Sequence, residues 1–274
     1  MGWLMPELPE VETVCRGLAP HLTGRRIETI QCFRTNLRYA LPDMSVLHGR
    51  SCERVARRGK YLQLFFDDLL LVWHLGMTGK FHVIPAQTPL TTHEHVRFIL
   101  SGNECLSYRD ARRFGYAGLM ATASWEAHPW FAKLGPEPLG DAFDGERLSV
   151  FCRGRKGPIK PLLMNAQVVV GVGNIYACEA LFRAGIHPER AAGRISRARL
   201  VLLADVVREV LAEAIASGGS TISDFTSVDG SPGYFSHAFK VYGREGEACV
   251  ACKGAIRRMV QGGRSTFYCP RCQR

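Results

Sequence analysis

Hydrophobic residues near the start of the chain recur at the spacing of a helix. Val11, Val14, Cys15 and Leu18 stand three or four positions apart or side by side, and Gly24 follows them. Residues at this spacing lie on one face of an α-helix, and glycine is common just beyond a helix end. The pattern therefore predicts an amphipathic helix that ends near Gly24.

Between residue 26 and about residue 120 the pattern changes to short runs of β-branched, aromatic and aliphatic residues. Turn residues, such as Asp67-Asp68 and the stretch 101–103, separate these runs. Several short strands at this spacing indicate a β-sandwich or barrel. The predicted strands are 26–33, 61–66, 69–74, 80–84, 96–100 and 105–108.

A segment rich in proline and glycine, 134–140, is the strongest linker candidate, and the chain beyond it has a helical pattern. Ser196 is a predicted N-cap, followed by an apolar stripe that Gly218-Gly219 ends. A chain of 274 residues suggests two domains on length alone. We expect a β-rich domain with an N-terminal helix at 1–134, a linker at 135–150, a helical domain at 151–238 and a small module at 239–274.

The charge of the chain favours an anionic partner. There are 35 Lys and Arg against 25 Asp and Glu, which gives a net charge of +10. This balance favours nucleic acid over a membrane surface, although a solvated basic surface accounts for the charge equally well. No apolar run approaches the ~18 residues of a membrane span, and residues 1–4 do not resemble a signal peptide. We therefore expect a soluble intracellular protein with no membrane partner.

Four of the ten cysteines stand together near the C-terminus. Cys249-x-x-Cys252 and Cys269-x-x-Cys272 are separated by sixteen residues, which is the spacing of a four-thiolate zinc site. Four thiolates complete the coordination shell, so one structural Zn²⁺ is predicted; two unrelated cysteine pairs are the alternative.

The cysteine-containing segment is also basic. Residues 240–274 hold eight Lys and Arg against two Glu, so they supply six of the ten net positive charges. This asymmetry favours a loop that binds phosphate. A ribbon that docks on another protein is the alternative interpretation.

The segment Met5-Pro6-Glu7 has the composition for amine catalysis. If translation starts at Met5 and that residue is removed, Pro6 carries a free secondary amine, and terminal amines titrate near pKa ~8 against ~10.4 for lysine. Condensation with a sugar aldehyde would give an iminium without an N–H, which is an electron sink for β-elimination. Glu7 could supply the proton transfers. With residues 1–5 in place the Pro6 nitrogen is an amide, so we expect the functional start to be Met5.

The stretch from Pro6 to Thr13 resembles the N-terminus of the formamidopyrimidine-DNA glycosylase family, whose members excise oxidised purines and then nick the DNA backbone. The resemblance extends to Arg274, with motifs in all three parts of the chain. It implies an α+β multidomain fold with three parts: a β-sandwich N-terminal domain with an N-terminal helix, a helical helix–two-turn–helix domain, and a C-terminal four-cysteine zinc finger hairpin.

The resemblance implies catalytic roles for four residues. Pro6 would attack the sugar C1′, with Glu7 assisting. Lys60, in a basic cluster that opens a strand, would assist elimination and contact phosphate, and Arg264 would reach the DNA backbone from a hairpin finger. From the residues alone, Lys60 is also compatible with a solvated charge at a strand edge, and Glu10, another acid of the motif, with a first-turn helix residue.

Three further residues match the family's void-filling trio. A base in duplex DNA must be flipped out before excision, and the space that it leaves must be filled. Met77, Arg112 and Phe114, in two glycine-flanked motifs, match the positions that do this. Buried Met and Phe are common, so core positions are the alternative for both, but the flanking glycines favour exposed turns.

Other positions match the family's contacts with the DNA backbone; they are His93, Arg155, Lys160 and Asn174. Asn174 follows a glycine turn and opens a helix, which is a ready anion site, and the second helix of the motif would be 196–217. The His-x-His at 93–95 has no third metal ligand evident nearby. The segment 219–237 would carry a loop that closes over the flipped base, with Ser223 where several relatives have lysine.

These observations predict a bifunctional DNA glycosylase/AP lyase for 8-oxoguanine and formamidopyrimidines, which uses a Schiff base to Pro6 followed by β,δ-elimination. An endonuclease VIII-type enzyme for oxidised pyrimidines is the nearest alternative. A damaged-DNA-binding protein without catalysis is the alternative from another class, if residues 1–5 are retained. We expect a monomer with one structural zinc that binds duplex DNA and works in the cytoplasm, on the nucleoid.

Overall fold

A computed structural model describes residues 5–219 and 239–274. The predicted N-terminal helix is present as α1, Leu8–Leu22, and Gly24 follows it with φ +77°. Its buried face consists of Leu8, Val11, Val14, Cys15, Leu18 and Leu22. The helical spacing of the apolar residues thus buries one side of α1 against the core.

Two antiparallel sheets of four strands form the N-terminal part. One has the order β1-β6-β7-β5 and the other β2-β3-β4-β8. The strands are β1 Ile27–Cys32, β2 Arg54–Arg58, β3 Tyr61–Phe66, β4 Leu69–His74, β5 Lys80–Pro85, β6 Glu94–Leu100, β7 Glu104–Arg109 and β8 Tyr116–Ala121. Inward-facing residues of both sheets belong to one hydrophobic core, so the predicted β-sandwich is confirmed.

Trp73 occupies the centre of this core. Its ring centroid lies 5.2 Å from that of Phe81 and 4.6 Å from that of Tyr108, both on the opposite sheet. Large fully buried rings contribute much of the apolar area that folding removes from water. These three rings therefore pack the two sheets against each other.

Two strands were not predicted. Strand β2 has three arginines among its five residues, and it forms because it pairs with β3 from Arg54↔Phe65 to Arg58↔Tyr61. Strand β8 contains Gly118, where a Cβ atom would lie 2.8 Å from the Trp130 ring. Glycine in a strand weakens the sequence signal, but here it makes room for an aromatic side chain.

The second half of the chain is helical and ends in a hairpin. Its elements are α2 Gly145–Cys152, α3 Ile159–Leu163, α4 Asn174–Arg183, α5 Arg197–Ala216, β9 Arg257–Gln261 and β10 Arg264–Tyr268. Helix α5 begins directly after Ser196, as expected. Residues 135–150 are not linker throughout, because α2 begins at Gly145, with the Arg147 N–H donating to Oδ1 of Asp144 at 2.7 Å.

The described residues divide into two compact units. One contains residues 5–132 and 217–219, and the other contains residues 133–216 and 239–274. Helices α2 to α5 and the cysteine-containing segment thus belong to the same unit, while α1 belongs to the unit of the two sheets. No helix in the described part of the chain is both long and apolar enough to span a bilayer.

Candidate DNA-repair site

The N-terminal motif is held by the first turn of α1. Pro6 and Glu7 are buried, and Oε2 of Glu10 accepts a hydrogen bond from the Glu7 N–H at 2.9 Å. This contact satisfies a donor that a helix start would otherwise leave open. Glu10 therefore acts as a first-turn capping acid, and it fixes the backbone of Glu7 next to Pro6. Residues 1–4 lie outside the described part of the chain.

Lys60 lies in the two-residue turn between β2 and β3. Gly59 takes φ +57°, the left-handed value that the first position of a type II′ hairpin turn requires. The sequence suggested that the whole basic cluster opens one strand, but the cluster is divided between two strands. Arg57 and Arg58 end β2, and Lys60 precedes β3. The hairpin places Lys60 at the tip, half-buried.

An ion pair connects this turn to α1. Arg57 Nε donates to Oε2 of Glu12 at 2.8 Å, and Arg57 Nη1 donates to the Gly59 carbonyl at 2.9 Å. Burial raises the pKa of Glu12, but the hydrogen bonds from Arg57 and Arg16 outweigh it and hold that pKa below its usual value. The ionised pair thus fixes the Lys60 turn relative to the N-terminal helix.

His74, at the end of β4, is close enough to Lys60 to feel its charge. Burial, together with the charges of Lys60 and Arg38, lowers the pKa of His74 to about 4. Its Nδ1 accepts from the Gly76 N–H at 3.0 Å, and its ring stacks on Tyr116 with centroids 4.8 Å apart. At neutral pH the imidazole is therefore uncharged and adds no positive charge beside the Lys60 ammonium.

Two loops carry the expected void-filling trio, and their backbones touch. A Cβ atom on Gly76 would lie 2.3 Å from the Phe114 carbonyl carbon, so only glycine fits there. Met77 is half-buried, and Phe114 is 39% exposed with the Arg112 guanidinium 4.6 Å from its ring centroid. Neither Met77 nor Phe114 belongs to the buried core. The fold brings all three residues together at one end of the sandwich.

Asp110 holds these two loops together. Its carboxylate is fully buried and accepts from Thr78 Oγ1 at 2.5 Å, from the Gly115 N–H at 2.8 Å and from the Tyr108 hydroxyl at 3.2 Å. Its carbonyl oxygen lies 2.8 Å from Nε2 of His95. The sequence analysis did not identify Asp110; its position between a strand and a glycine-flanked basic motif was the available signal.

His93 lies exposed in the loop before β6 with φ +65°, a conformation that is uncommon for residues other than glycine. Its carbonyl accepts from the Asp110 N–H at 3.0 Å, which holds the loop in place. The ring is thus available to a ligand.

In the second unit, Lys160 and Asn174 hold the hairpin β9–β10. The Lys160 side chain is 1% exposed, and Nζ donates to Oδ1 of Asn174 at 2.5 Å and to Oγ1 of Thr266 at 2.7 Å. Asn174 Nδ2 donates to the Ser265 carbonyl at 2.8 Å. Both predicted phosphate contacts therefore lie directly beside the strand that begins at Arg264.

Arg264 itself follows the tight turn of the hairpin. Gly262 and Gly263 have φ +58° and +72°, which is the pattern of a type I′ turn. Arg264 pairs with Gln261 across this turn and is exposed. Arg155 is exposed too, and its Nε donates to the Phe151 carbonyl at 2.8 Å. Both guanidinium groups can reach an anionic ligand.

A buried glutamate joins α4 to the start of the cysteine-containing segment, and the sequence analysis missed it. Glu179 accepts from the N–H groups of Lys240, Val241 and Tyr242 at 2.8–3.0 Å. Burial raises the pKa of Glu179, although these three hydrogen bonds act in the opposite direction.

The sulfur atoms of Cys249, Cys252, Cys269 and Cys272 all lie within 4.8 Å of one another. The Cys249–Cys272 separation is 3.9 Å and the Cys252–Cys269 separation is 3.4 Å. Tetrahedral zinc with Zn–S bonds of ~2.3 Å requires sulfur atoms about 3.8 Å apart. The four thiols thus fit the ion, and they would hold it with no open coordination position. In the part of the chain that the structure describes, this is the only such group of potential metal ligands.

Sequence profiles of three domains match the chain in order. The formamidopyrimidine-DNA glycosylase N-terminal domain matches residues 5–117, the H2TH domain of the same enzyme matches 134–226, and a zinc finger found in FPG and IleRS matches 246–274. The chain belongs to the formamidopyrimidine-DNA glycosylase family.

Whole-length relatives carry the same name. Formamidopyrimidine-DNA glycosylases of Thioalkalivibrio sulfidiphilus and Stenotrophomonas maltophilia are 50% and 49% identical, each over 98% of this chain and all of the relative. A Lactococcus lactis FPG variant bound to Fapy-dG containing DNA superposes with TM-score 0.91 at 35% identity, covering 98% of this chain and 99% of that one. The L. lactis enzyme bound to abasic-site DNA gives TM-score 0.90, also at 35% identity, over 97% and 99%.

Membership in the formamidopyrimidine-DNA glycosylase family confirms the predicted three-part fold, the helix–two-turn–helix domain and the structural zinc. The structure places Pro6, Glu7, Lys60 and the expected void-filling trio in the first unit. Arg264 lies in the second unit with Lys160, Asn174 and Arg155. The expected base-covering loop at 219–237, with Ser223, lies outside the described residues, apart from Gly219.

Proposed function

We propose that the chain excises oxidised purines, both formamidopyrimidines and 8-oxoguanine, from duplex DNA and then cleaves the backbone at the abasic site. The observation that carries this proposal is the match over the whole chain to formamidopyrimidine-DNA glycosylases, including an L. lactis enzyme bound to Fapy-dG containing DNA. The L. lactis enzyme is also seen in complex with DNA that contains an abasic site, which is the product of base removal. That complex supports the second step of the proposal, in which the chain acts at an abasic site.

The nucleophile that we propose is the Pro6 nitrogen as a free N-terminal amine. It attacks C1′ of the damaged nucleotide, the base leaves with a proton, and the ring-opened sugar becomes an iminium. Loss of a C2′ proton then expels the 3′-phosphate, and a second elimination expels the 5′-phosphate. An amide nitrogen cannot begin this sequence. In support, the family match begins at residue 5, directly before Pro6.

Glu7 is the proposed proton-transfer group. It is 2% exposed and directly adjoins Pro6, and the Glu10 cap holds its backbone. General acid–base assistance contributes about 10²–10⁴-fold when the group is fixed within hydrogen-bonding reach. The motif thus combines a nucleophile with a fixed carboxyl group on one helix start.

Lys60 and Arg264 are the proposed phosphate-binding partners in elimination. Lys60 lies at the tip of the β2–β3 turn, which the Arg57–Glu12 pair holds. Arg264 lies at the tip of the β9–β10 hairpin, which Lys160 and Asn174 hold. Cations placed where negative charge develops stabilise the departing phosphates.

Met77, Arg112 and Phe114 are proposed to fill the space of the flipped nucleotide. Unstacking a base step costs about a few kcal/mol, and an apolar wedge offsets part of this cost. The exposure of Phe114 and the rigid backbone contact at Gly76 support this role. His93, Arg155, Lys160 and Asn174 are proposed to position the DNA backbone, and Zn²⁺ to hold the hairpin. We further propose a monomer that works in the cytoplasm on nucleoid DNA.

Two versions of the chain test the nucleophile, one starting at Met1 and one at Met5, each incubated with 8-oxoguanine duplex and borohydride. We expect a trapped covalent adduct only where intact mass shows Pro6 at the N-terminus. A chain that keeps residues 1–5 and still traps at full yield would exclude Pro6 and leave Lys60 as the next amine. Excision of oxidised pyrimidines in preference to 8-oxoguanine would favour the endonuclease VIII-type alternative, and no trapping by either chain would favour damaged-DNA binding without catalysis.

A further inference from the structure

A loop of the first unit, residues 33–39, follows β1, and the proposed function leaves it without a role. The loop exposes two large aromatic side chains and two arginines: Phe33 at 41%, Tyr39 at 54%, Arg34 and Arg38. Single exposed apolar residues are ordinary on a protein surface. Surfaces that bind unstacked bases, however, combine aromatic rings with cations, and this loop has that composition.

Both ends of this loop are fixed to segments that the proposed function places against DNA. At its start the Phe33 N–H donates to the His95 carbonyl at 2.9 Å, two residues after the proposed phosphate contact His93. Near its end the Arg38 N–H donates to the Gly115 carbonyl at 3.1 Å, in the motif of the proposed void-filling residues. The loop therefore lies beside two of the proposed DNA contacts.

Leu37 anchors the loop between these two hydrogen bonds. Its side chain is 7% exposed and belongs to the core of the sandwich. The Leu41 N–H donates to the Thr35 carbonyl at 2.9 Å, which closes the loop on itself. The exposed side chains are thus carried by a fixed backbone, and this lowers the ordering cost of a contact with a ligand.

Arg38 and Tyr39 are in contact with each other. The Arg38 guanidinium carbon lies 5.5 Å from the centroid of the Tyr39 ring, within the range of a cation–π contact. The Tyr39 ring also meets Tyr116 edge-on, with centroids 5.4 Å apart and ring planes at 72°. Tyr39 is therefore a half-exposed ring whose orientation two neighbours already determine.

The Arg38 charge is not neutralised by the residues that the structure describes. None of their carboxylates forms an ion pair with its guanidinium. The next acid along the chain, Asp43, is engaged by Ser45, whose N–H and hydroxyl donate to it at 2.9 Å and 2.6 Å. The charge acts as far as the end of β4, where it is one of the causes that lower the pKa of His74. Arg38 is thus a cation that an anionic ligand can reach.

We propose that residues 33–39 form a further DNA-contacting loop, in which Arg38 binds a backbone phosphate and Tyr39 stacks on a base that has become unstacked. The proposal rests on the proposed function, because the segments of His93 and Phe114 locate the DNA. Bases in an intact duplex stack on one another, whereas a flipped nucleotide or an abasic site exposes the faces of its neighbours. Arg38 therefore contributes to the binding of any duplex, and Tyr39 only to the binding of damaged duplex.

The first experiment measures the affinity of the full chain for undamaged duplex between roughly 50 and 200 mM salt. We expect Arg38→Gln to lower the slope of log K against log[salt] by about one, since one phosphate contact releases about one counterion. Over this range the parent should lose about 3–4-fold more affinity than the variant. Arg38→Lys keeps the charge and should keep the parent slope. A parent slope in Arg38→Gln would remove Arg38 from the DNA interface.

The matched control is Arg26→Gln. Arg26 is exposed and directly precedes β1, whereas the loop follows β1, so the two lie roughly 20 Å apart at ~3.3 Å per strand residue. This variant loses the same charge beside the same strand and should keep the parent slope. If it lowers the slope as much as Arg38→Gln does, the slope reports the net charge of the chain, and the contact assigned to Arg38 is wrong.

The second experiment compares undamaged duplex with duplex that contains an abasic-site analogue. Tyr39→Ala should lower affinity for the abasic duplex by at least about fivefold, the smallest loss expected for one base–aromatic stack, and leave affinity for undamaged duplex within about twofold of the parent. Tyr39→Phe keeps the ring and should bind both duplexes like the parent. Parent affinity of Tyr39→Ala for the abasic duplex, or an equal loss on both duplexes, would overturn the stacking role.

Excision of 8-oxoguanine by the parent separates the two proposals. A parent that fails to excise, while Arg38→Gln and Tyr39→Ala bind as expected, overturns the repair activity and leaves the loop contact standing. A parent that excises, while both variants bind like it, overturns only the loop contact. Melting temperatures report folding, and both variants should melt close to the parent because Leu37 and the hydrogen bonds at the two ends of the loop remain.

Discussion

Replacement of Asp110 tests whether the two loops that carry the proposed void-filling residues depend on one buried carboxylate. Asp110→Ala removes the acceptor for Thr78, Tyr108 and the Gly115 N–H together. Each buried donor left without an acceptor costs about 1–3 kcal/mol, so the total loss should be about 3–5 kcal/mol. Asp110→Asn keeps the shape and one oxygen, so it should cost about 1–2 kcal/mol, roughly the net value of one or two ordinary hydrogen bonds.

Urea unfolding followed by tryptophan fluorescence measures these losses. At an m-value of about 2 kcal/mol/M, Asp110→Ala should lower the midpoint by roughly 2 M. Single-turnover excision of 8-oxoguanine should fall about 5–30-fold in Asp110→Asn, which is 1–2 kcal/mol expressed as a ratio. The loss in excision should exceed the loss in affinity for undamaged duplex, because the loops are proposed to act only when a nucleotide is flipped out.

The control is Asp68→Asn, which removes the same charge from an exposed turn where Asp68 pairs with Arg50. Exposed pairs contribute about 0–1 kcal/mol, so this variant should unfold and excise like the parent. If Asp110→Ala unfolds at the midpoint of the control, the network does not stabilise the loops. If Asp110→Asn is destabilised but excises at the parent rate, the loops do not depend on Asp110 for function.

Four further outcomes are expected. Arg264→Ala should weaken DNA binding and lower its salt slope by about one, and an unchanged slope would place Arg264 off the DNA. Cys269→Ser should release zinc, as metal analysis would show, while the β-sandwich still melts as in the parent. Met77→Ala and Phe114→Ala should impair excision more than melting, and a large drop in melting temperature would indicate core roles. The pKa of His74 is about 4 in the folded protein, so between pH 6.5 and 4 the unfolded state binds more protons than the folded state. The free energy of unfolding should therefore fall as pH falls through that window, and it should fall less in His74→Gln.

Local patterns in the sequence were sufficient for several elements. The strands 61–66 and 69–74 were predicted with their observed bounds, because both are apolar runs with turn residues between them. The four cysteines were predicted as a metal site from their spacing alone. A zinc site that takes two ligands from each of two short loops has two Cys-x-x-Cys pairs, and these are visible in the sequence. The family motifs supplied the positions of the proposed site residues.

Features that depend on contacts between distant segments were not predicted. Strand β2 is a strand because β3 pairs with it, and its arginines conceal it. The start of helix α2 was taken as linker because the helix begins at Gly145, and glycine does not indicate a helix. Glycine is needed at this position because an added Cβ atom would lie 2.4 Å from Val201 Cα. The Arg57–Glu12 pair joins residues 45 positions apart, and Glu179 binds backbone groups 61–63 positions away. Spacing in one sequence carries no trace of such pairs.

The first unit is assembled from two stretches of chain that are separated by residues 133–216. Gly219, in the later stretch, lies against the start of α1, where an added Cβ would be 3.4 Å from Oγ1 of Thr13 and 3.5 Å from Cα of Glu10. Translation proceeds at roughly 5–20 residues per second, so the 87 residues from 133 to 219 are synthesised in about 4–17 s. Gly219 is therefore added at least that much later than the last strand residues of the sandwich. The first turn of α1, which begins beside Pro6, therefore lacks its contact with Gly219 until the helical half of the chain has been made.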